Sequence, residues 1–184
     1  MKVVIPTKQS EVTLDKYQKW LKIINDTEDN KERYFRVTAL FSEQDGDLTN
    51  VSLRKLKEIT KQVEDVMLEV PQKVQYKFDF KGQRYGLIPN LSEMTTQEFG
   101  DAHEMSQPEN LHYLMQVLYR PIVREYDKFY NIEPYEANEQ RAELFRQLPL
   151  SIFKGAIVFF STIVLTYWKE TQNYSPLPSD QSMK

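Results

Sequence analysis

The sequence predicts an α+β fold, mostly α, with several amphipathic helices around a small antiparallel hairpin or sheet. Three observations predict it. Apolar residues recur at helical spacing through most of the chain, the period switches to alternation between Val74 and Phe80, and a strand-to-helix phrase occurs twice. In the first copy Val4-Ile5-Pro6 precedes Ser10-Glu11-Val12-Thr13, with Tyr17 four residues past the threonine. In the second, Leu87-Ile88-Pro89 precedes Ser92-Glu93-Met94-Thr95, with Phe99 in the same place.

Each threonine is placed to accept a hydrogen bond from a free helix-start amide, and each aromatic to meet the apolar residue before that threonine. Thr95-Thr96-Gln97-Glu98 forms a full capping box, and Met94 with Phe99 fits a hydrophobic staple. The first copy has Lys16 where the glutamate would stand. Internal duplication and independent use of a common entry motif both account for the pair.

From the N-terminus, a strand at Val3 to Ile5 leads into a helix bearing Leu14, Tyr17, Leu21 and Ile24, with Trp20 beside them, ending at Asn25-Asp26-Thr27. A second helix starts near Asn30 and carries Tyr34, Val37, Leu40 and Phe41 before the polar loop Ser42 to Asp47. The third, Val51 to Glu69, aligns Leu56, Ile59, Val63 and Val66 or Met67. Pro71 stops it.

Val74, Tyr76, Phe78 and Phe80 then alternate with Gln75, Lys77 and Asp79, Lys81-Gly82 makes a tight turn, and Gln83 to Ile88 returns. Two strands alone are marginal, so a third is expected, and Val3 to Ile5 is the predicted one. Helices resume at Thr95 and pause near Ser106-Gln107. Pro108 opens the next, with Leu111, Leu114, Met115 and Leu118 on one face, closed by Tyr119-Arg120-Pro121. Ile122 to Glu136 has little periodicity but is rich in aromatics. Ala137 to Leu148 reads as a helix with Leu144, Phe145 and Leu148 inward, and Pro149-Leu150-Ser151 opens an apolar final helix. The expected organisation is one globular domain over 1–171, divisible into lobes 1–70 and 71–171, then a polar, proline-bearing flexible tail over 172–184.

A formal charge of -3 gives no global positive field for nucleic acid. Arg54, Lys55, Lys57 and Lys61 put a basic strip on the third helix, but Glu58, Glu64 and Asp65 dilute it. Nucleic acid is therefore not expected as the main partner. No signal peptide is expected, because Lys2, Lys8 and Lys16 punctuate the N-terminus. Lys154 leaves the uncharged run Gly155 to Tyr167 short of the roughly 20 residues that cross a bilayer, so no membrane association is expected.

No chemistry is expected either. The chain has no cysteine and two histidines, His103 and His112, without carboxylates placed to complete a metal site. Asp45-Gly46-Asp47 lacks the remaining oxygens of a calcium loop. There is no phosphate loop, nucleophile elbow or zinc-protease signature, so no catalytic residue, cofactor or metal ligand is assigned. The features that favour recognition are Tyr126, Phe129, Tyr130 and Tyr135, which combine large contact area with few rotors. They are the predicted partner-binding residues, the alternative being that they pack onto their own core. The last helix adds an edge of Ser151, Gly155, Thr162 and Thr166 that would admit another backbone closely.

Val12 to Trp20, Phe78 to Pro89, Leu118-Tyr119-Arg120-Pro121-Ile122, and Pro149-Leu150-Ser151 before Gly155-Ala156 together resemble small structural or assembly proteins of tailed bacteriophages. The resemblance implies a setting, virion structure or virion assembly; within it the apolar last helix, the aromatic segment and the polar tail favour a non-enzymatic component of the virion (head, connector or tail) that binds other phage structural proteins or further copies of itself. The first alternative is an assembly chaperone that leaves the particle, and the second, kept open by the basic face of the third helix, is an intracellular phage protein that binds nucleic acid or a host factor. Its expected location is the virion, or the host cytoplasm during assembly.

Overall fold

The computed structural model describes residues 3–42, 48–71, 73–127 and 129–172, with the side chains of Ser92 and of 162–172 outside that description. Among the described residues the order is α1 (Leu14–Asp26), α2 (Asn30–Leu40), α3 (Leu53–Leu68), β1 (Lys77–Phe80), β2 (Gln83–Leu87), α4 (Thr96–Glu104), α5 (Leu111–Leu118), β3 (Tyr119–Glu125), β4 (Tyr130–Ile132), α6 (Glu139–Phe145) and α7 (Leu150–Gln172). The fold is α+β and mostly α, with one four-stranded antiparallel sheet.

The repeated phrase makes the same local structure twice. Each copy passes through one 3-10 turn, Gln9–Glu11 or Leu91–Glu93, and enters its helix at a threonine cap. At α1 the Thr13 hydroxyl accepts from the Lys16 amide at 3.3 Å, and the Leu14 and Asp15 amides donate to the carbonyls of Leu148 and Arg146, both at 2.8 Å. The first-turn donors that a helix cannot satisfy internally are thus taken up by the chain entering α7. At α4 the capping box closes on itself: the Glu98 amide donates to the Thr95 hydroxyl at 3.1 Å, and the Thr95 amide to the Glu98 carboxylate at 2.6 Å.

Burial separates the copies. Val12 and Tyr17 are buried, whereas Phe99 is 52 % exposed, so the staple expected of Met94 and Phe99 contributes little burial. Gln9, itself buried, donates to the carbonyls of Val66 and Glu69 and so ties the first entry to the end of α3.

The amphipathic spacing of α1 and α3 buries Leu14, Tyr17, Trp20 and Ile23 on the one, and Leu56, Ile59, Val63 and Met67 on the other. α5 is apolar almost all round and is buried accordingly. One core cluster joins residues of α1, α2 and α3 to residues of β1, β2, α5, α6 and α7. At Gly155 of α7 a Cβ would lie 2.9 Å from the Lys73 carbonyl oxygen and 3.4 Å from Val74 Cα. The small-residue edge therefore admits this chain's own backbone there. The side chains of Thr162 and Thr166, the loop residues 43–47 that contain Asp45-Gly46-Asp47, and the predicted tail from 173 onward lie outside the described residues.

The sheet runs β1-β2-β3-β4, each strand antiparallel to the next. Lys81 (φ 50°) and Gly82 (φ 81°) make the two-residue turn of a right-twisted hairpin, which requires positive φ at both positions. The third strand is not Val3 to Ile5. Val3 makes an isolated bridge to Ser42, and Val4 donates to the Phe41 carbonyl at 2.9 Å, because the end of α2 lies beside it. β3 fills the place instead, pairing Tyr119, Arg120 and Pro121 with Leu87, Gly86 and Tyr85. Pro121 continues the strand rather than merely closing a helix. Its carbonyl accepts from the Glu133 amide at 2.9 Å, so its missing N–H lies on the β4 side, beside the end of that strand.

The expected irregular stretch after Ile122 is strand too. The β3 to β4 register shifts between Ile122 and Arg124, which places the extra residue Val123 in β3 and breaks the period-2 pattern.

Candidate functional site

The structure divides the four predicted partner-binding aromatics into two pairs. Tyr126 and Phe129 sit at the turn between β3 and β4, where the Tyr126 amide donates to the Phe129 carbonyl at 2.7 Å. Both are exposed, Tyr126 at 50 % and Phe129 at 72 %, as is the bulge residue Val123 of β3 at 61 %. The strand beneath is pinned by charge. Glu125 lies 2.6 Å from the Lys77 ammonium and 3.1 Å from Arg84 Nε, and the Lys77 hydrogen bond holds its carboxyl below the usual carboxylate range.

Tyr130 and Tyr135 are anchored. The Tyr130 ring lies against Gly86, at a position that a side-chain Cβ would clash with, and its hydroxyl lies 2.7 Å from the Leu87 carbonyl and 3.2 Å from that of Tyr76. Burial pushes the Tyr130 hydroxyl pKa up to about 12. The Tyr135 hydroxyl donates to the Asp101 carboxylate at 2.7 Å, and burial first, then that bond, raises it further above the ordinary value.

Both anchored tyrosines line a cleft of about 630 Å³ between the second strand-to-helix phrase (Ile88 to Glu98) and the run Tyr130 to Tyr135. At its floor Arg120 of β3 pairs with Glu98 of α4 at 2.9 Å, with both side chains nearly enclosed. The carboxylate of Glu98 therefore serves two elements, capping α4 through Thr95 and holding Arg120. Burial lowers the Arg120 pKa and Glu98 opposes that shift, leaving the guanidinium charged. Arg120 Nε is buried without a hydrogen-bond partner. A second pair, Arg141 with Glu133 at 2.9 Å, braces the wall.

Sequence reasoning missed the cleft. The capping box points to Glu98, but Arg120 reads as part of a helix stop, and nothing local joins residues 22 positions apart. The predicted basic strip on α3 is partly neutralised, with Arg54 and Lys55 both on Glu58. His112 is enclosed, with Gln18 Nε2 3.1 Å from its Nδ1 and the Glu143 carboxylate 3.4 Å from its Nε2. Burial, more than the neighbouring Arg146, lowers its pKa.

Among the described residues no group of three or more His, Asp or Glu side chains is placed to hold a metal ion. Nor is any described helix long and apolar enough to cross a membrane. No family model, curated protein or solved structure matches the chain.

Proposed function

We propose that this chain is a non-enzymatic protein-binding component of a tailed-phage particle, which docks a neighbouring structural protein on the tip of the β3–β4 hairpin. One observation carries the reading: Tyr126 and Phe129 stand exposed together, joined at 2.7 Å through their main chains, on a strand pair whose base is fixed by the sheet and by Glu125 with Lys77 and Arg84. Aromatics on a rigid base lose little conformational freedom on binding, and such residues dominate interface energies. The phage setting rests on the sequence resemblance.

Replacing Phe129 with a photo-crosslinking phenylalanine derivative tests both parts. On illumination of assembled particles the expected product is one discrete adduct to a second particle protein. Absence of a protein adduct at position 129 contradicts the docking role. An adduct formed only in assembly intermediates, with the chain missing from finished particles, converts the component into a chaperone.

A further inference from the structure

We infer that the cleft beside β4 receives an extended peptide segment of a partner protein, neutral or basic in charge, added along the sheet edge. The inference rests on the reading of this chain as a protein-binding component, but not on the hairpin tip.

The edge supplies the first argument. β4 ends the sheet order, and residues Tyr130 to Tyr135 form one wall of the cleft without a gap. Phe129 accepts from Tyr126 and Glu133 donates to Pro121, both toward β3. Alternation along the strand then turns the main-chain groups of Tyr130 and Ile132 to the side away from β3, where no strand pairs with them among the described residues. A sheet edge with free donors and acceptors is a template for another strand.

The floor supplies the second. Arg120, with its side chain only 8 % exposed, lines the cleft, where Glu98 holds its guanidinium at 2.9 Å and its Nε is fully enclosed. The lining decides the charge of the guest. Arg120 offsets Glu98 and Arg141 offsets Glu133, which leaves the Glu93 carboxylate in excess, so a phosphate or carboxylate guest meets net repulsion, whereas a peptide carbonyl does not. Gln97 and Asn131 supply amides suited to a peptide backbone, and Pro89, Met94 and Pro134 supply apolar surface for its side chains. The cleft volume falls within the range of about 300–1,000 Å³ usual for ligand sites.

A display library of random twelve-residue peptides, selected on the full chain, tests this. Gln97→Trp and Asn131→Trp, both at exposed lining positions, block the cleft, and their melting curves are expected to match the wild type. The expected peptides carry zero or positive net charge. Each loses about tenfold or more in affinity on both tryptophan variants, keeps it on Tyr126→Ala and Phe129→Ala, and slows hydrogen exchange at the Tyr130 and Ile132 amides. No enrichment, a uniformly acidic selection, or affinity unchanged by both tryptophan variants overturns the inference. Peptides sensitive to the tip variants alone overturn it while leaving the docking role of the tip intact.

Discussion

Two pairs of aromatics share the segment from Tyr126 to Tyr135 and meet opposite fates. Tyr130 and Tyr135 each end on an acceptor at 2.7 Å, and Tyr130 has Gly86 beneath its ring. Tyr126 and Phe129 project from the turn, where the Tyr126 hydroxyl has a 3.2 Å contact from the neighbouring Arg124. Aromatic density alone therefore does not identify a binding surface. What sorts the residues is whatever lies across from them, a carbonyl, a carboxylate or a glycine, and that is set by the pairing of distant strands.

The largest effect tests the anchored side. Glu98→Ala leaves Arg120 buried without its partner and removes the reciprocal cap, and is expected to cost about 3–5 kcal/mol in chemical denaturation. Tyr130→Ala comes next, at roughly 2–3 kcal/mol, below the full range for a large aromatic because the ring is only half-buried. A loss at Tyr130 no greater than at Tyr126 would erase the distinction between the pairs.

Tyr130→Phe keeps the ring and removes the hydroxyl, for about 1 kcal/mol at neutral pH. It also changes the alkaline limb. Because the folded state holds the Tyr130 proton to about pH 12, the stability this group confers is complete below about pH 10 and is lost as pH rises through that window. A shallower fall in stability above pH 10 is expected for Tyr130→Phe than for the wild type. Of similar size, Thr95→Ala and Thr13→Ala each remove one cap bond, with about 1 kcal/mol expected at Thr95 and no more at Thr13, where the donor lies farther off.

Local chemistry was legible in the sequence wherever it closed within a few residues. The alternation into Lys81-Gly82 gave the hairpin, and Thr95 with Glu98 gave a capping box that the structure contains bond for bond. Long-range placement was not legible. Tyr17 and Phe99 hold the same position in the two phrases, yet one is 8 % and the other 52 % exposed, because α1 packs against α7 and α5 while α4 turns its equivalent position outward.

Pro121 read as a stop because proline rarely occupies a strand with neighbours on both sides, and its tolerance depends on the end of β4 falling beside it. Val123 hid β3 and β4 by adding one residue to the ladder. Of the candidate surface, the sequence supplied all four aromatics but not their division. It supplied half of the cleft floor, Glu98, but not Arg120.

The most direct measurement is a paired one on the double variant Tyr126→Ala/Phe129→Ala, with thermal melting of the free chain and incorporation into particles determined on the same preparation. Exposed side chains away from structural contacts shift stability by no more than about 0.5 kcal/mol, so a melting curve close to that of the wild type is expected, together with loss of incorporation. A variant that melts like the wild type and still incorporates normally would contradict the assignment of the hairpin tip as the docking surface.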